Sequence, residues 1–486
     1  MPRRALFRKK RHRHRSQPDP WRLDRPLLWF SRDDAWTIAD ACEGTQIFGA
    51  TGAGKSSGSG AALAKAMLAA GFGGLVLTVK TDERTAWERY CQETGRIDSL
   101  LVVSLDSEWR FDFLQYELRR GGRSAGIVSN IVDLLIEVAT IDQKSSAGNS
   151  VDPYWQQTLR QLLRNAIDLL IIARETITLP LLSELIASAP TDPEQLEDDR
   201  WLDGSLCIQL IEEADAKPLE ENVKHDLDAC TRFFLGEYPN LASKTRSIIV
   251  SMFTSMADGL MRRPLRQLFC DGLNMAPELS HEGVIILLDL PVHEFGPAGR
   301  AAQVIFKRLW QQAVERRGAS QHQRPVFLWA DEAQYFVTPR DAQFQSTARS
   351  KRACTVLLTQ NLPSYHNELD SAGSTAATER LLGNLQTKIF HANGCTKTNQ
   401  WAEELFAKSW SFRPNTSSNN GEDRKQSTNS AGFSQSLDPN VLAQQFTSLA
   451  KGGPNSRYLV ESIVFQGGRT WRATGNNHIR VTFAQR

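Results

Sequence analysis

The stretch that decides the fold is Gly49-Ala50-Thr51-Gly52-Ala53-Gly54-Lys55-Ser56. It satisfies the phosphate-loop pattern G-x-x-x-x-G-K-[ST] at every position. Its glycines let the backbone curl so that successive N–H groups point at phosphate oxygens. A helix opening near Ser56 aims its positive end at the same anion. Lys55 supplies a charge for the β- and γ-phosphates, and the Ser56 hydroxyl is a hard oxygen ligand for Mg²⁺. Residues Gly49, Ala50, Thr51, Gly52, Ala53, Gly54, Lys55, Ser56 and Ser57 thus form the expected cradle for ATP and Mg²⁺. The flanks agree. Thr45 to Phe48 is apolar and strand-like, and a helical pattern runs from Ser56 to about Ala70.

Outward from this loop, apolar runs alternate with helical patterns. Strand-like runs occur at Gly74 to Val79, Leu100 to Ser104, Val284 to Leu288, Val326 to Ala330, Thr355 to Thr359 and Thr387 to His391. A helical segment, Ala301 to Arg317, lies among them. Such alternation predicts an α/β fold with a mostly parallel sheet covered on both faces. Between about 120 and 275 strand signals nearly vanish, and apolar residues recur at helical spacing, as in Trp155, Leu159, Leu162, Leu163, Ile167 and Leu170. The expected organisation is therefore a tail over 1–28, a first motor segment over 29–119, an all-helical insertion over 120–275 and a second motor segment over 276–486. A Ser-, Asn- and Gly-rich stretch at about 411–436 reads as a flexible loop. A hairpin is expected from Tyr458 to Phe465 and Thr470 to Arg472, turning at Gln466, Gly467 and Gly468.

A phosphate loop needs an acid at the end of a neighbouring strand. The run ending at Asp289 offers one, and the run ending at Asp331 offers two in succession, Asp331 and Glu332. The adjacent acids are preferred: Asp331 to order Mg²⁺ and Glu332 to orient and deprotonate the attacking water. Gln360 follows another strand and is placed to touch the γ-phosphate or its water. Upstream, Arg349 and Arg352 are candidates for an arginine that reaches a neighbouring subunit's nucleotide.

Composition narrows the remaining choices. Net charge is only +2, but the first fifteen residues carry Arg3, Arg4, Arg8, Lys9, Lys10, Arg11, Arg13 and Arg15 and no acid. That run would favour the phosphates of nucleic acid or of lipid headgroups. The seven cysteines show no close CxxC pair and the nine histidines no metal spacing, which argues against a zinc site. Several of the cysteines sit in apolar contexts and read as reduced core residues of a cytoplasmic protein. No apolar stretch approaches the ~20 residues that span a bilayer as a helix.

Taken in order, these motifs resemble the conjugative coupling ATPases of type IV secretion, the TraG/TraD-type family within the FtsK/HerA group of ring translocases. The resemblance rests on the phosphate loop, the second strand ending near Lys80 and the helical interruption. It continues through Leu328-Trp329-Ala330-Asp331-Glu332-Ala333, Arg349-Ser350-Lys351-Arg352 and Thr359-Gln360-Asn361. It covers roughly residues 40 to 405. It implies a RecA-like motor forming a homo-hexamer around a channel, with ATP at subunit interfaces. By spacing from Gln360, it implies Arg349 rather than Arg352 as the reaching arginine. It further implies DNA as the moved polymer, with a relaxase and type IV secretion components as partners. One departure stands out: the family's N-terminal transmembrane helices have no counterpart here, only the basic tail. The expected location is cytoplasmic, with the tail as a peripheral contact to the inner membrane face. The alternatives are a cytosolic HerA-like DNA-processing or defence motor, and a nucleotide-dependent scaffold or protein-export ATPase.

Overall fold

Short β-prone runs that must hide both faces become the strands of one large sheet. The computed structural model describes residues 19–121, 126–147, 153–318, 324–370, 373–420 and 427–485. In chain order the strands are β1 (Pro26–Trp29), β2 (Ala35–Thr37), β3 (Thr45–Phe48), β4 (Gly73–Leu77), β5 (Leu100–Val103), β6 (Ile285–Leu288) and β7 (Val326–Ala330). They continue with β8 (Ala353–Thr359), β9 (Thr387–Phe390), β10 (Lys408–Asn420), β11 (Ser427–Pro439), β12 (Leu459–Gln466) and β13 (His478–Ala484). Nine of them make one sheet in the order β13-β12-β9-β3-β8-β7-β4-β6-β5. From β9 to β5 every pairing is parallel, and β12 runs antiparallel to both of its neighbours.

Burial alternates along these strands. Ile286, Leu288, Leu328, Ala330 and Leu357 belong to one core, whereas Ile285, Leu287, Phe327, Trp329 and Val356 belong to the other. Helices therefore cover both faces, as a parallel sheet requires. The first core is continuous with the helical body that follows β5. Its helices include Phe113–Arg119, Val128–Ala147, Pro153–Arg174, Leu179–Ser188 and Ser243–Met261. Leu159, Leu162, Leu163, Ile167 and Leu170 are buried there, and Trp155 packs at its edge. Among the described residues no strand of this sheet lies between β5 and β6. The chain enters and leaves the helical body side by side. Phe111 and Leu273 form an antiparallel bridge, Asp112 donates its N–H to the Gly272 carbonyl at 2.8 Å, and Asn274 donates to Arg110 at 3.0 Å.

Four sequence expectations need correction. First, the strand that ends at Asp331 is not the neighbour of the phosphate-loop strand, because β8 lies between β3 and β7. The intervening strand is the one that ends at Gln360. Second, the stretch read as a flexible loop contains a two-stranded ribbon: β10 and β11 pair antiparallel from Lys408↔Pro439 to Asn420↔Ser427. Trp410, Phe412, Phe433 and Leu437 recur on one side of it and stand exposed. Third, the partner of β12 is not Thr470 to Arg472 but β13, in which Ile479, Val481 and Phe483 alternate inward. Trp471 is instead fully buried, with the Arg469 guanidinium 3.9 Å from its ring. Fourth, residues 1–18 of the expected tail lie outside the described residues, but structure begins before residue 28. The Trp21 indole donates to the Ala70 carbonyl at 3.1 Å and lies 4.9 Å from the Arg324 guanidinium.

All seven cysteines are free, and only Cys395 is not buried. Among the described residues no cluster of metal-ligating side chains occurs. Nor is any helix among them long and apolar enough to cross a membrane.

Candidate nucleotide site

Parallel strands gather their carboxyl ends on one edge of the sheet, and that edge carries most of the residues singled out by the sequence. β3 delivers Gly49, β8 delivers Gln360, β7 delivers Asp331 and Glu332, and β4 leads into Lys80. Beyond β3 the loop turns through Gly52 at φ +72° and Gly54 at φ +83°, conformations that favour glycine. The chain then winds as a wide turn over Ser56–Gly60, where Gly60 donates its N–H to the Lys55 carbonyl at 2.8 Å, and continues as a helix over Ala61–Ala69.

The loop is seated on its surroundings. A methyl group on Gly54 would fall 2.6 Å from Val460 of β12, whereas one on Gly52 would meet nothing within 4 Å. Gly54→Ala and Gly52→Ala share the cost of a left-handed alanine, about 1–3 kcal/mol. Only Gly54→Ala adds overpacking, worth about another 1–3 kcal/mol. Denaturant unfolding of the two variants is expected to show Gly54→Ala as the less stable by that difference. Behind the loop, the buried His391 ring faces the Ser59 hydroxyl at 2.7 Å and the Glu461 carbonyl at 2.9 Å. Burial pulls the His391 pKa down to about 4, so the ring is neutral at neutral pH.

At the mouth, the Lys55 ammonium donates to the Gly49 carbonyl at 2.9 Å. Burial draws its pKa down, and the carboxylates of Glu332 and Asp331 work against that shift. The Ser56 hydroxyl donates to Asp331, which joins two hard oxygen donors at one point. Glu332 follows with a left-handed backbone, φ 49°, its N–H donating to the Asp331 carboxylate at 2.9 Å. A non-glycine residue in that conformation is held there by its surroundings. Its side chain accepts from Gln334 at 3.0 Å and from Gln360 at 3.4 Å, and lies 3.5 Å from the Lys80 ammonium. Burial pushes the Glu332 pKa up. The Gln334 hydrogen bond and the charges of Lys55 and Lys80 outweigh this, leaving it below the ordinary carboxylate value. The group is held ionised.

The structure thus brings together Lys55, Ser56, Asp331, Glu332 and Gln360. Asp289 stands apart, tied to Arg84 at 3.0 Å. Arg349 also lies elsewhere, before the foot of β8. The seven residues of that strand separate its foot from Gln360, a span of about 23 Å. Arg349 therefore cannot reach the phosphate loop of its own chain. Arg352, with a left-handed backbone, donates to the Trp21 carbonyl at 2.9 Å.

Sequence reasoning missed Lys80, Gln334 and Asn393 as parts of the site. Gln334 accepts from the Thr359 hydroxyl at 2.7 Å, and Asn393 donates to the Gln360 carbonyl at 2.8 Å. No motif marks these three. Their common signal is position three or four residues beyond a parallel strand.

Fold and site together define a nucleoside-triphosphatase fold of the α/β phosphate-loop class. Within that class the chain is similar to bacterial conjugative coupling proteins of known structure. With TrwBdeltaN70 in its unbound monoclinic form it shares 14% identity at a TM-score of 0.55, over 92% of this chain and 86% of that one. With the trigonal form in complex with sulphate the values are 14% and 0.55, over 95% of each chain. With the plasmid coupling protein TrwB in complex with ADP and Mg²⁺ they are 14% and 0.54, over 93% and 88%. No protein-family model and no curated protein matches the sequence. At this identity the likeness is one of fold.

Proposed function

We propose that this protein is a Mg²⁺-dependent ATPase that works as a ring, a DNA translocase of the conjugative coupling type. The observation that carries the reading is the convergence of Lys55, Ser56, Asp331, Glu332 and Gln360 on one sheet edge. The TrwB-like fold supports it.

In this reading the glycine-rich backbone from Gly49 to Ser57 cradles the phosphates and Lys55 neutralises them. The Ser56 hydroxyl and the Asp331 carboxylate fit a hard divalent cation, since both donors are oxygens and already lie together. When bound, Mg²⁺ would supply charge neutralisation between the phosphates. Glu332, kept ionised by Lys55 and Lys80, accepts a proton from the attacking water. Gln334 and Gln360 fix the direction of its carboxylate. Gln360 touches both Glu332 and, through its carbonyl, Asn393, so a change at the phosphate has a route into the chain beyond β9. Arg349 serves the neighbouring subunit's nucleotide, because it cannot serve its own. The partners are DNA, a relaxase and type IV secretion components, at a cytoplasmic location with the basic tail against DNA or the inner membrane face.

The test is steady-state ATP hydrolysis across protein concentration, with and without single- and double-stranded DNA. Turnover is expected to rise both with DNA and with assembly. Turnover that assembles normally but ignores every DNA moves the reading to a protein-export motor. No hydrolysis under any condition moves it to a nucleotide-dependent scaffold.

A further inference from the structure

The edge of the sheet opposite the nucleotide site holds a second charged arrangement. Arg349 precedes β8 and Glu43 precedes β3, two strands that pair in parallel from Thr45↔Val356 to Phe48↔Thr359. At their feet the Arg349 guanidinium meets the Glu43 carboxylate at 2.8 Å. The partners differ in exposure: the Arg349 side chain is 62% exposed and that of Glu43 only 21%. Glu43 is fixed from behind, since its carbonyl accepts the N–H of Gln386 at 3.0 Å. Both residues border an open polar cavity of about 420 Å³, which Gln345, Ser346, Asn384 and Gln386 also line. The cavity contains an exposed guanidinium, several amides and a hydroxyl, and among the described residues Glu43 is the one acid on its wall.

We propose that Glu43 is a positioning residue for Arg349. It is an internal counter-ion that parks the guanidinium at the cavity wall until the terminal phosphate of a neighbouring copy's nucleotide replaces it. The inference rests on the reading of this protein as a ring ATPase with Arg349 acting on the adjacent subunit. An exposed ion pair is weak, whereas a guanidinium can bind a phosphate through two parallel hydrogen bonds. Burial already disfavours the Glu43 carboxylate and Arg349 offsets that, so an arriving phosphate competes for the guanidinium from its exposed side with two such bonds against one ion pair. The polar cavity gives it room, and its amide and hydroxyl groups suit phosphate oxygens. Placement gives the exchange a consequence. Glu43 and Arg349 sit at the feet of the two strands whose tops carry the phosphate loop and Gln360. Release of the pair alters the load on both strands at once, so each subunit senses its neighbour's nucleotide at its own site.

The experiment compares wild type, Glu43→Gln, Glu43→Ala and Arg349→Ala, all as the full chain. Two readouts are used. The first is the rate at which a dicarbonyl reagent modifies Arg349, followed by peptide mass spectrometry. The second is the protein concentration at which a non-hydrolysable ATP analogue drives assembly, followed by sedimentation. Removing the internal partner is expected to speed modification of Arg349. It is also expected to lower the assembly midpoint about two- to fivefold, the worth of an exposed ion pair. Arg349→Ala is expected to lose the analogue's effect on assembly. If modification and midpoint are unchanged in both Glu43 variants while Arg349→Ala is defective, the parking role is overturned and the ring reading stands. If Arg349→Ala assembles and turns over like wild type, the arginine reading itself falls and the parking role falls with it.

Discussion

Glu332→Gln is expected to bind ATP with near-normal affinity and to hydrolyse it about 10²- to 10⁴-fold more slowly, the usual contribution of a general base. The substitution is nearly isosteric. It leaves the carbonyl oxygen that Gln334 reaches at 3.0 Å, and it keeps the left-handed backbone at φ 49° no worse than glutamate does. What disappears is the charge that Lys55 and Lys80 hold in place. Single-turnover hydrolysis alongside equilibrium binding of a fluorescent nucleotide separates the two effects. A variant that still turns over at the wild-type rate would place the base elsewhere, and a variant that no longer binds would make Glu332 a structural residue.

Lys55→Ala should fail earlier, at binding and at turnover together. Lys55 is 6% exposed, and its ammonium reaches the Gly49 carbonyl at 2.9 Å, across the curl of the loop. Alanine removes the positive charge that the carboxylates of Asp331 and Glu332 face. The cradle then presents two neighbouring acids to an incoming polyanion, with Lys80 left among the described residues to offset them. Turnover is expected to fall on the order of 10²- to 10³-fold, as for loss of a preorganised phosphate or oxyanion contact. Nucleotide affinity should fall as well, which distinguishes this variant from Glu332→Gln. Titration of the same fluorescent nucleotide checks the difference, and unaltered affinity would exclude Lys55 from phosphate binding.

The parts of the site legible in the sequence are those whose chemistry is local. The loop from Gly49 to Ser56 is a continuous run, and the role expected of each residue follows from its place in it. Asp331 and Glu332 stand directly after Val326 to Ala330, so a buried strand announces them. Strand order is not local. That β8 separates β3 from β7 depends on pairing between residues some three hundred positions apart, and no run of sequence encodes it. Gln334, Lys80 and Asn393 enter the site only through that order. The ribbon of β10 and β11 was hidden for a different reason. Trp410 with Phe412, and Phe433 with Leu437, keep an even spacing, the strand period, but Ser411, Ser434, Gln435 and Ser436 lie between them and mostly polar or turn-forming residues such as Arg413, Pro414 and Asn415 lie beyond. At the end of the chain, Thr470 to Arg472 carries β-prone residues, yet burial of Trp471 binds it into a turn. The true partner strand declares itself in the alternation of Ile479, Val481 and Phe483.

The bridge between Phe111 and Leu273 has a bearing on how such a chain assembles. β5 and β6 pair in register from Leu100↔Ile285 to Val103↔Leu288 although the whole helical body separates them. The entropy of closing a flexible loop grows only logarithmically, about 0.6 kcal/mol for each doubling of its length. Contacts near in sequence form fast, so the helices can condense before the sheet exists. Once they have done so, the two chain ends emerge together through a single doorway framed by Arg110, Phe111, Gly272 and Asn274. The sheet then meets a short tether in place of a long one. Its register is thereby insulated from the length and content of what lies beyond the doorway, and the strands that carry the glycine-rich loop meet in the same way whatever the size of the helical body.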